Sequence, residues 1–246
     1  SLTEFGKGLK NCDGVLANPP FGTKKGGERP SRDDFTFPTS NKQLNFLQHI
    51  YRSLKKDGKA RAAVVLPDNV LFEDGDGQRI RRDLMDKCNV HTILRLPTGI
   101  FYAAGVKTNV LFFTRGTTET GNTKNVWFYD MRTNVPNYGK RTPFTEKAFE
   151  DFIKAYTGGI GYDEVEEKYD GLVSDEKREK IIDDRWNRIS HETISKKNDS
   201  LDIGLIADSS LSNGEDLGEP IDIAKEALTE IQEITKQLNA MIKELS

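Results

Sequence analysis

The chain has 246 residues, 35% of them apolar and 30% charged, with a formal net charge of −3, which suits one domain with a real core and a small appendage. It holds no run of about 18 apolar residues, no signal-peptide core in SLTEFGKGLK, and only two cysteines and three histidines at no metal spacing, so the expectation is a cytoplasmic protein without a membrane span, disulfide framework or structural metal. The charge is uneven: residues 1–145 carry 23 Lys and Arg against 14 Asp and Glu, and residues 146–246 carry 13 against 25, a pattern that fits either a polyanion-facing first part or uneven surface charge with no partner.

In chain order, DGVLA at 13–17 is a short apolar run before a turn-rich segment, and it predicts a buried strand ending at Asn18. Residues 22–40 are rich in Gly, Pro and charge and predict a long loop, of a length that is functional or disordered inside compact domains. Ser40 and Gln43 have capping-box spacing. Behind them Leu44, Leu47, Ile50, Tyr51 and Leu54 recur at helical period, predicting an amphipathic helix over 41–56. Asp57-Gly58 closes it, and RAAVVLP at 61–67 predicts a buried strand.

A helix over 77–87 follows, then a strand at 90–97, a connection at 98–107, and further strands at 108–115 and 125–132. Strand, helix, strand, helix, then closely spaced strands predicts an α/β sheet with an antiparallel portion. Residues 143–156 read as helical, and the charged stretch 161–185 as a solvated helix or mobile segment. Residues 203–219 read as a linker, and Pro220 opens a helix that runs nearly to the C-terminus. Soft boundaries fall near 145 and 215.

The chemistry is carried by Asn18-Pro19-Pro20-Phe21, directly after the first strand. In an open α/β sheet, ligands sit beyond the carboxyl ends of strands. Two prolines lock the backbone and remove amide protons, leaving carbonyls free to accept from a ligand. Asn18 adds an acceptor oxygen and Phe21 a flat face. The set suits a planar ring bearing an exocyclic amine, such as adenine: the Asn18 oxygen and the Pro19 carbonyl accept the amine protons while Phe21 stacks. An amine nitrogen so polarised attacks a methyl sulfonium without a strong base. A base inside a duplex reaches such a pocket only by flipping out. Taken alone, the tetrapeptide also reads as a turn followed by a core aromatic.

Asn18-Pro19-Pro20-Phe21-Gly22, with VVLPDNVLF (64–72), residues 80–116, VWFYDMRTNVPNYGKRTPFT (126–145) and SLDIGLIAD (200–208), resembles the modification (M) subunit of type I restriction–modification systems, the N6-adenine DNA methyltransferases. The resemblance implies S-adenosylmethionine as cofactor, with Asn18 and Pro19 catalytic and Pro20 and Phe21 binding the base. It implies as partners DNA, a specificity (S) subunit, a second M subunit and a restriction (R) subunit. The family's glycine-rich, cofactor-binding strand-loop-helix lies upstream of its Asn-Pro-Pro-Phe, and no such loop is found here. The expected architecture is therefore the C-terminal half of a Rossmann-like methyltransferase sheet followed by a helical tail, inactive alone, with an apolar edge and face uncovered. Its parts are 1–145 with the catalytic motif, 146–215 charged and linker-like, and 216–246 an amphipathic helix.

Other residues stay open at this level. Lys24, Lys25, Arg29 and Arg32 are candidate DNA contacts or a solvated loop. Arg79, Arg81 and Arg82 are read as surface. Asp68-Asn69 is read as active-site rim rather than a helix cap. His49 is read as partly buried rather than catalytic, and Trp127 and Phe128 as core. Along 220–245, Ala224, Leu228, Ile231, Thr235, Leu238, Ile242 and Leu245 follow heptad spacing, which suits docking on another chain or packing on its own. Two rival functions remain: a non-catalytic docking module for a specificity subunit, and a methyltransferase acting on a protein glutamine amide, for which Tyr rather than Phe is usual at the fourth position.

Overall fold

Along RAAVVLP, Ala62, Val64 and Leu66 alternate with Ala63 and Val65, so this strand is apolar on both faces and has to be covered on both. The computed structural model describes residues 2, 4–21, 32–101, 106–136, 138–139, 142–169 and 171–202. Within them the elements run β1 (Gly14–Ala17), α1 (Lys42–Ser53), β2 (Arg61–Pro67), α2 (Asn69–Phe72), α3 (Asp76–Lys87), β3 (Cys88–Arg95), β4 (Thr108–Arg115), β5 (Asn125–Asp130), α4 (Glu150–Tyr156), α5 (Tyr162–Tyr169), α6 (Asp175–Arg178), β6 (Trp186–Ser190) and α7 (His191–Lys196). The linker at 203–219, the heptad helix, and Lys24, Lys25 and Arg29 lie outside the described residues.

The strands form one sheet in the order β1-β2-β4-β3-β5-β6. β1 and β2 are parallel, as are β3 and β5, while β4 and β6 run antiparallel to their neighbours. One face buries Val64, Leu66, Ile93, Leu111, Phe113 and Phe128 against α1 and α3. The other buries Leu94, Trp127 and Tyr129 against Phe152 and Ala155 of α4. The period-2 alternation of β2, β4 and β5 thus feeds two cores, as a sheet covered on both faces requires. Among the described residues β1 pairs only with β2. Its Leu16 lies in register with Ala63, on the α4 side, and is 89% exposed.

Several expectations are corrected. The cap of α1 is Asn41, one residue after Ser40, and its side chain accepts from the N–H groups of Gln43 and Leu44. Residues 161–185 are not solvated throughout: Val165, Val173 and Arg178 are buried, with Arg178 against the rings of Trp127, Trp186 and Tyr156. β6 and α7 were not legible in the sequence, yet β6 extends the same sheet and Trp186 stacks on Trp127 at 4.8 Å between centroids. The boundary expected near 145 therefore falls inside one compact unit, Ser1–Ile206. Among the described residues no helix is long and apolar enough to cross a membrane.

Arg81 was read as surface and is 1% exposed. Its guanidinium donates to the carbonyls of Asp199 (2.8 Å), Val70 (3.1 Å) and Glu73 (2.8 Å), joining the segment after α7 to the turns around α2. Arg81→Met keeps the stem but leaves three carbonyls without their donor. Urea unfolding should show a loss of about 3 kcal/mol, and an unchanged midpoint would refute this role.

Candidate functional site

The parallel strands β1, β2, β3 and β5 bring their carboxyl ends to one edge of the sheet, where ligands of open α/β sheets collect. Four segments meet there: Asn18–Phe21 after β1, Asp68-Asn69 after β2, Leu96–Phe101 after β3, and Met131-Arg132 after β5. Asn18 and Pro20 are exposed, Pro19 is buried and Phe21 half-buried. Pro19 and Pro20 border a hollow of about 280 Å³ shared with Phe46, His49 and Ile50 of α1. The Phe21 ring meets the Phe101 ring edge-on, with centroids 5.7 Å apart and planes at 76°. That edge-to-face geometry is favourable for an aromatic pair and leaves at least one face of each ring outside the contact.

The segments after β2, β3 and β5 are joined by a polar knot. Arg132 donates from Nη1 to Asp68 Oδ2 (2.8 Å) and from Nη2 to Asp68 Oδ1 (2.9 Å). It also donates to the carbonyls of Thr108 (2.9 Å) and Leu96 (3.2 Å). Asn109 Nδ2 adds a bond to Asp68 Oδ1 at 2.7 Å. Asp68 sits at the N-cap position of α2 but makes no side-chain cap bond, because its carboxylate is engaged by Arg132 and Asn109. Glu73 Oε2 meanwhile accepts from Asn41 Nδ2 (2.7 Å) and Asn69 Nδ2 (3.2 Å), tying the start of α1 to the end of β2.

Of the four cations considered for DNA contact, Arg32 is the one within the described residues, and it is enclosed at 4% exposure. Its guanidinium donates to both oxygens of Asp34 (2.7 and 2.6 Å) and to His49 Nδ1 (2.7 Å), and it lies 4.3 Å over the Phe35 ring. Enclosure and prior partners make it an anchor for the chain after residue 31, which replaces the expected phosphate-facing role. His49 is buried as anticipated. Burial and the neighbouring guanidinium hold its imidazole down at about 4, so it is neutral near pH 7 with Nδ1 accepting from Arg32.

Sequence reading missed Phe101, which it left in a connection; Arg132 and Asn109, which sat inside or beside strand patterns; and Gln43, seen only as a cap partner. The aromatic pair Phe101-Tyr102 in the Gly-flanked connection 98–107 was the one usable signal.

A profile of the N-6 DNA Methylase family matches residues 2–202. The whole chain aligns at 47% identity with 49% of the type I restriction enzyme StySPI methylase subunit of Salmonella potsdam. It aligns at 46% identity with 49% of the EcoKI methylase subunit of Escherichia coli K12. It thus spans about half the length of the curated relatives it matches. In fold, all of the chain superposes on 52% of the crystal structure of the EcoKI M protein, with a TM-score of 0.69 and 42% identity. A structure of a type I restriction–modification assembly gives 0.64 at 28% identity, over 97% of this chain and 46% of that one.

The depressed value of His49 sets a pH dependence. Between about pH 6.5 and 4 the unfolded chain binds a proton on this ring that the folded chain refuses, so stability is lost as pH falls through that window, by at most about 1.4 kcal/mol per pH unit. The buried His91, also held low by desolvation, acts in the same sense. Urea unfolding should show the decline, and His49→Gln should flatten part of it. An identical slope in the variant would remove His49 from the account.

Proposed function

Because the chain belongs to the N-6 DNA Methylase family, we propose that it is the target-base half of a type I modification subunit, which methylates N6 of a flipped-out adenine in DNA with S-adenosylmethionine as methyl donor. The observation that carries this reading is the position of Asn18–Phe21 at the carboxyl end of β1, with Phe101 edge-on to Phe21. What these residues act on is the acceptor.

The acceptor amine has two protons and a lone pair delocalised into its ring. The Asn18 amide oxygen and the Pro19 carbonyl accept those protons and draw the nitrogen towards tetrahedral geometry, which localises the lone pair for attack. Phe21 stacks on the ring, and Phe101 braces Phe21 from its edge. His49, neutral and bonded to Arg32, has no part in moving the amine proton. Lys24, Lys25 and Arg29 are proposed to contact phosphates of the distorted duplex. As partners we propose DNA, a specificity subunit, a second modification subunit and a restriction subunit.

In the full-length subunit assembled with its partners, Asn18→Ala should lower single-turnover methylation of unmethylated DNA by roughly 100-fold or more, with DNA affinity nearly unchanged. A wild-type rate would rule out its role. Phe21→Ala should weaken base capture by roughly 1–3 kcal/mol, and Phe101→Ala by about 1 kcal/mol, both seen as a higher KM for DNA. An unchanged KM for Phe101→Ala would detach that ring from the site.

The heptad pattern at 220–245 supports docking on the long helices of a specificity subunit. Deleting 220–246 should stop co-purification with that subunit and spare binding of the methyl donor. Co-purification at full stoichiometry would make the helix an intramolecular packing element.

A further inference from the structure

A segment with two consecutive prolines is stiff along its own backbone and hard to fix to the rest of a fold. Pro19 and Pro20 have no N–H, so neither can donate; whatever secures them through hydrogen bonding has to donate to their carbonyls. Gln43 Nε2 does so, 3.1 Å from the Pro20 oxygen. Gln43 stands in the first turn of α1 and is 2% exposed. Its own N–H donates to Asn41 Oδ1 at 3.0 Å, and Asn41 Nδ2 donates to Glu73 Oε2 at 2.7 Å. The root of the side chain is therefore fixed from two directions.

The other end of the same amide is informative. Among the described residues, Gln43 Oε1 is buried and accepts no hydrogen bond. Turning the amide over would set that oxygen against the Pro20 oxygen, so the orientation that holds Pro20 is also the one that leaves Oε1 unfilled. A buried acceptor without a donor costs stability and calls for an explanation. A side chain present only for packing would be Leu or Met here, with no polar atom to satisfy.

We infer that Gln43 is a positioning residue for the Asn18-Pro19-Pro20-Phe21 loop, an inference that rests on the reading of that loop as the base site. By engaging the Pro20 carbonyl, Gln43 commits it to the fold and leaves the Asn18 amide and the Pro19 carbonyl as the loop's acceptors for the amine. It touches no substrate. Its effect is to fix where those two acceptors stand, and a misplacement of about 1 Å in a reacting geometry can cost roughly 100-fold in rate.

The test uses the full-length subunit with its partners, tritiated S-adenosylmethionine, and DNA from a methylation-deficient host. Gln43→Leu removes the donor at similar volume; its single-turnover rate should fall about 10- to 100-fold with little change in KM for DNA. Gln43→Glu supplies a second readout. Its carboxylate has no proton for Pro20, but its protonated form does, and burial raises the carboxyl towards the assay range. The rate of Gln43→Glu relative to wild type should therefore climb several-fold from about pH 8.5 to about pH 6, while the ratio for Gln43→Leu stays flat. A role in packing alone moves the thermal midpoint but not this pH ratio. Equal rates for Gln43→Leu and wild type, or a flat Gln43→Glu ratio, overturn the inference. If Gln43→Leu does not fold, the Gln43→Glu ratio decides. A wild-type complex that transfers no label to adenine overturns the base-site reading itself, and the Gln43 role with it.

Discussion

One guanidinium closes the carboxyl edge of the sheet. Arg132, just past β5, reaches the carboxylate that follows β2, the carbonyl that follows β3, and the first carbonyl of β4. Arg suits this place because its planar fork grips a carboxylate with two parallel bonds while other donors remain for carbonyls, which a lysine ammonium cannot reproduce. Such a pair is weak evidence for net stability, because desolvation offsets much of the attraction. What it fixes is geometry. Leu96 and Thr108 are the two roots of the segment that carries Phe101, and both are bound to the same side chain. The carbonyls that precede and follow the Phe101 segment in sequence are thus held by one side chain.

Such long-range attachment explains what the sequence could and could not disclose. β2 and β4 were legible to the residue, because alternation of Val, Leu and Phe between Gly- and Pro-rich turns has few other solutions. Asn18-Pro19-Pro20-Phe21 stood out because its prolines and its place after an apolar strand are local facts. Arg132 and Asp68 lie 64 residues apart, and neither stands in a local pattern that points to the other. β6 was missed for a related reason: WNRIS carries little periodicity, and its pairing is decided by Trp186 finding Trp127 across the strand pair. The error at Ser40 was smaller, since Asn41 caps as well as serine does and a one-residue shift leaves the helix pattern unchanged.

The two prolines of Asn18-Pro19-Pro20-Phe21 are held by different physics. Pro19 is buried beside Phe46 and Ile50 and is held by packing, whereas Pro20 is exposed and held through its carbonyl by an amide from α1. Between them the backbone has almost no torsional freedom at φ, so two distant attachments suffice to place the whole segment. A glycine-rich turn would need many more contacts to reach the same definition. The proline pair therefore acts as a short rigid arm, and α1 is the element on which the arm is mounted.

The charge asymmetry acquires a different meaning once the side chains are placed. Of the basic residues counted before position 145, Arg32, Arg81 and Arg115 are nearly fully buried, and each directs donors at carboxylates, a histidine or backbone carbonyls within the fold. Charges so enclosed hold turns and loop ends in place and contribute little to the field outside. The positive excess of the first part therefore overstates what a polyanion would feel. Attraction to phosphates has to come from cations with solvated heads. Arg32 is no such cation: its guanidinium is committed to Asp34, His49 and the Phe35 ring.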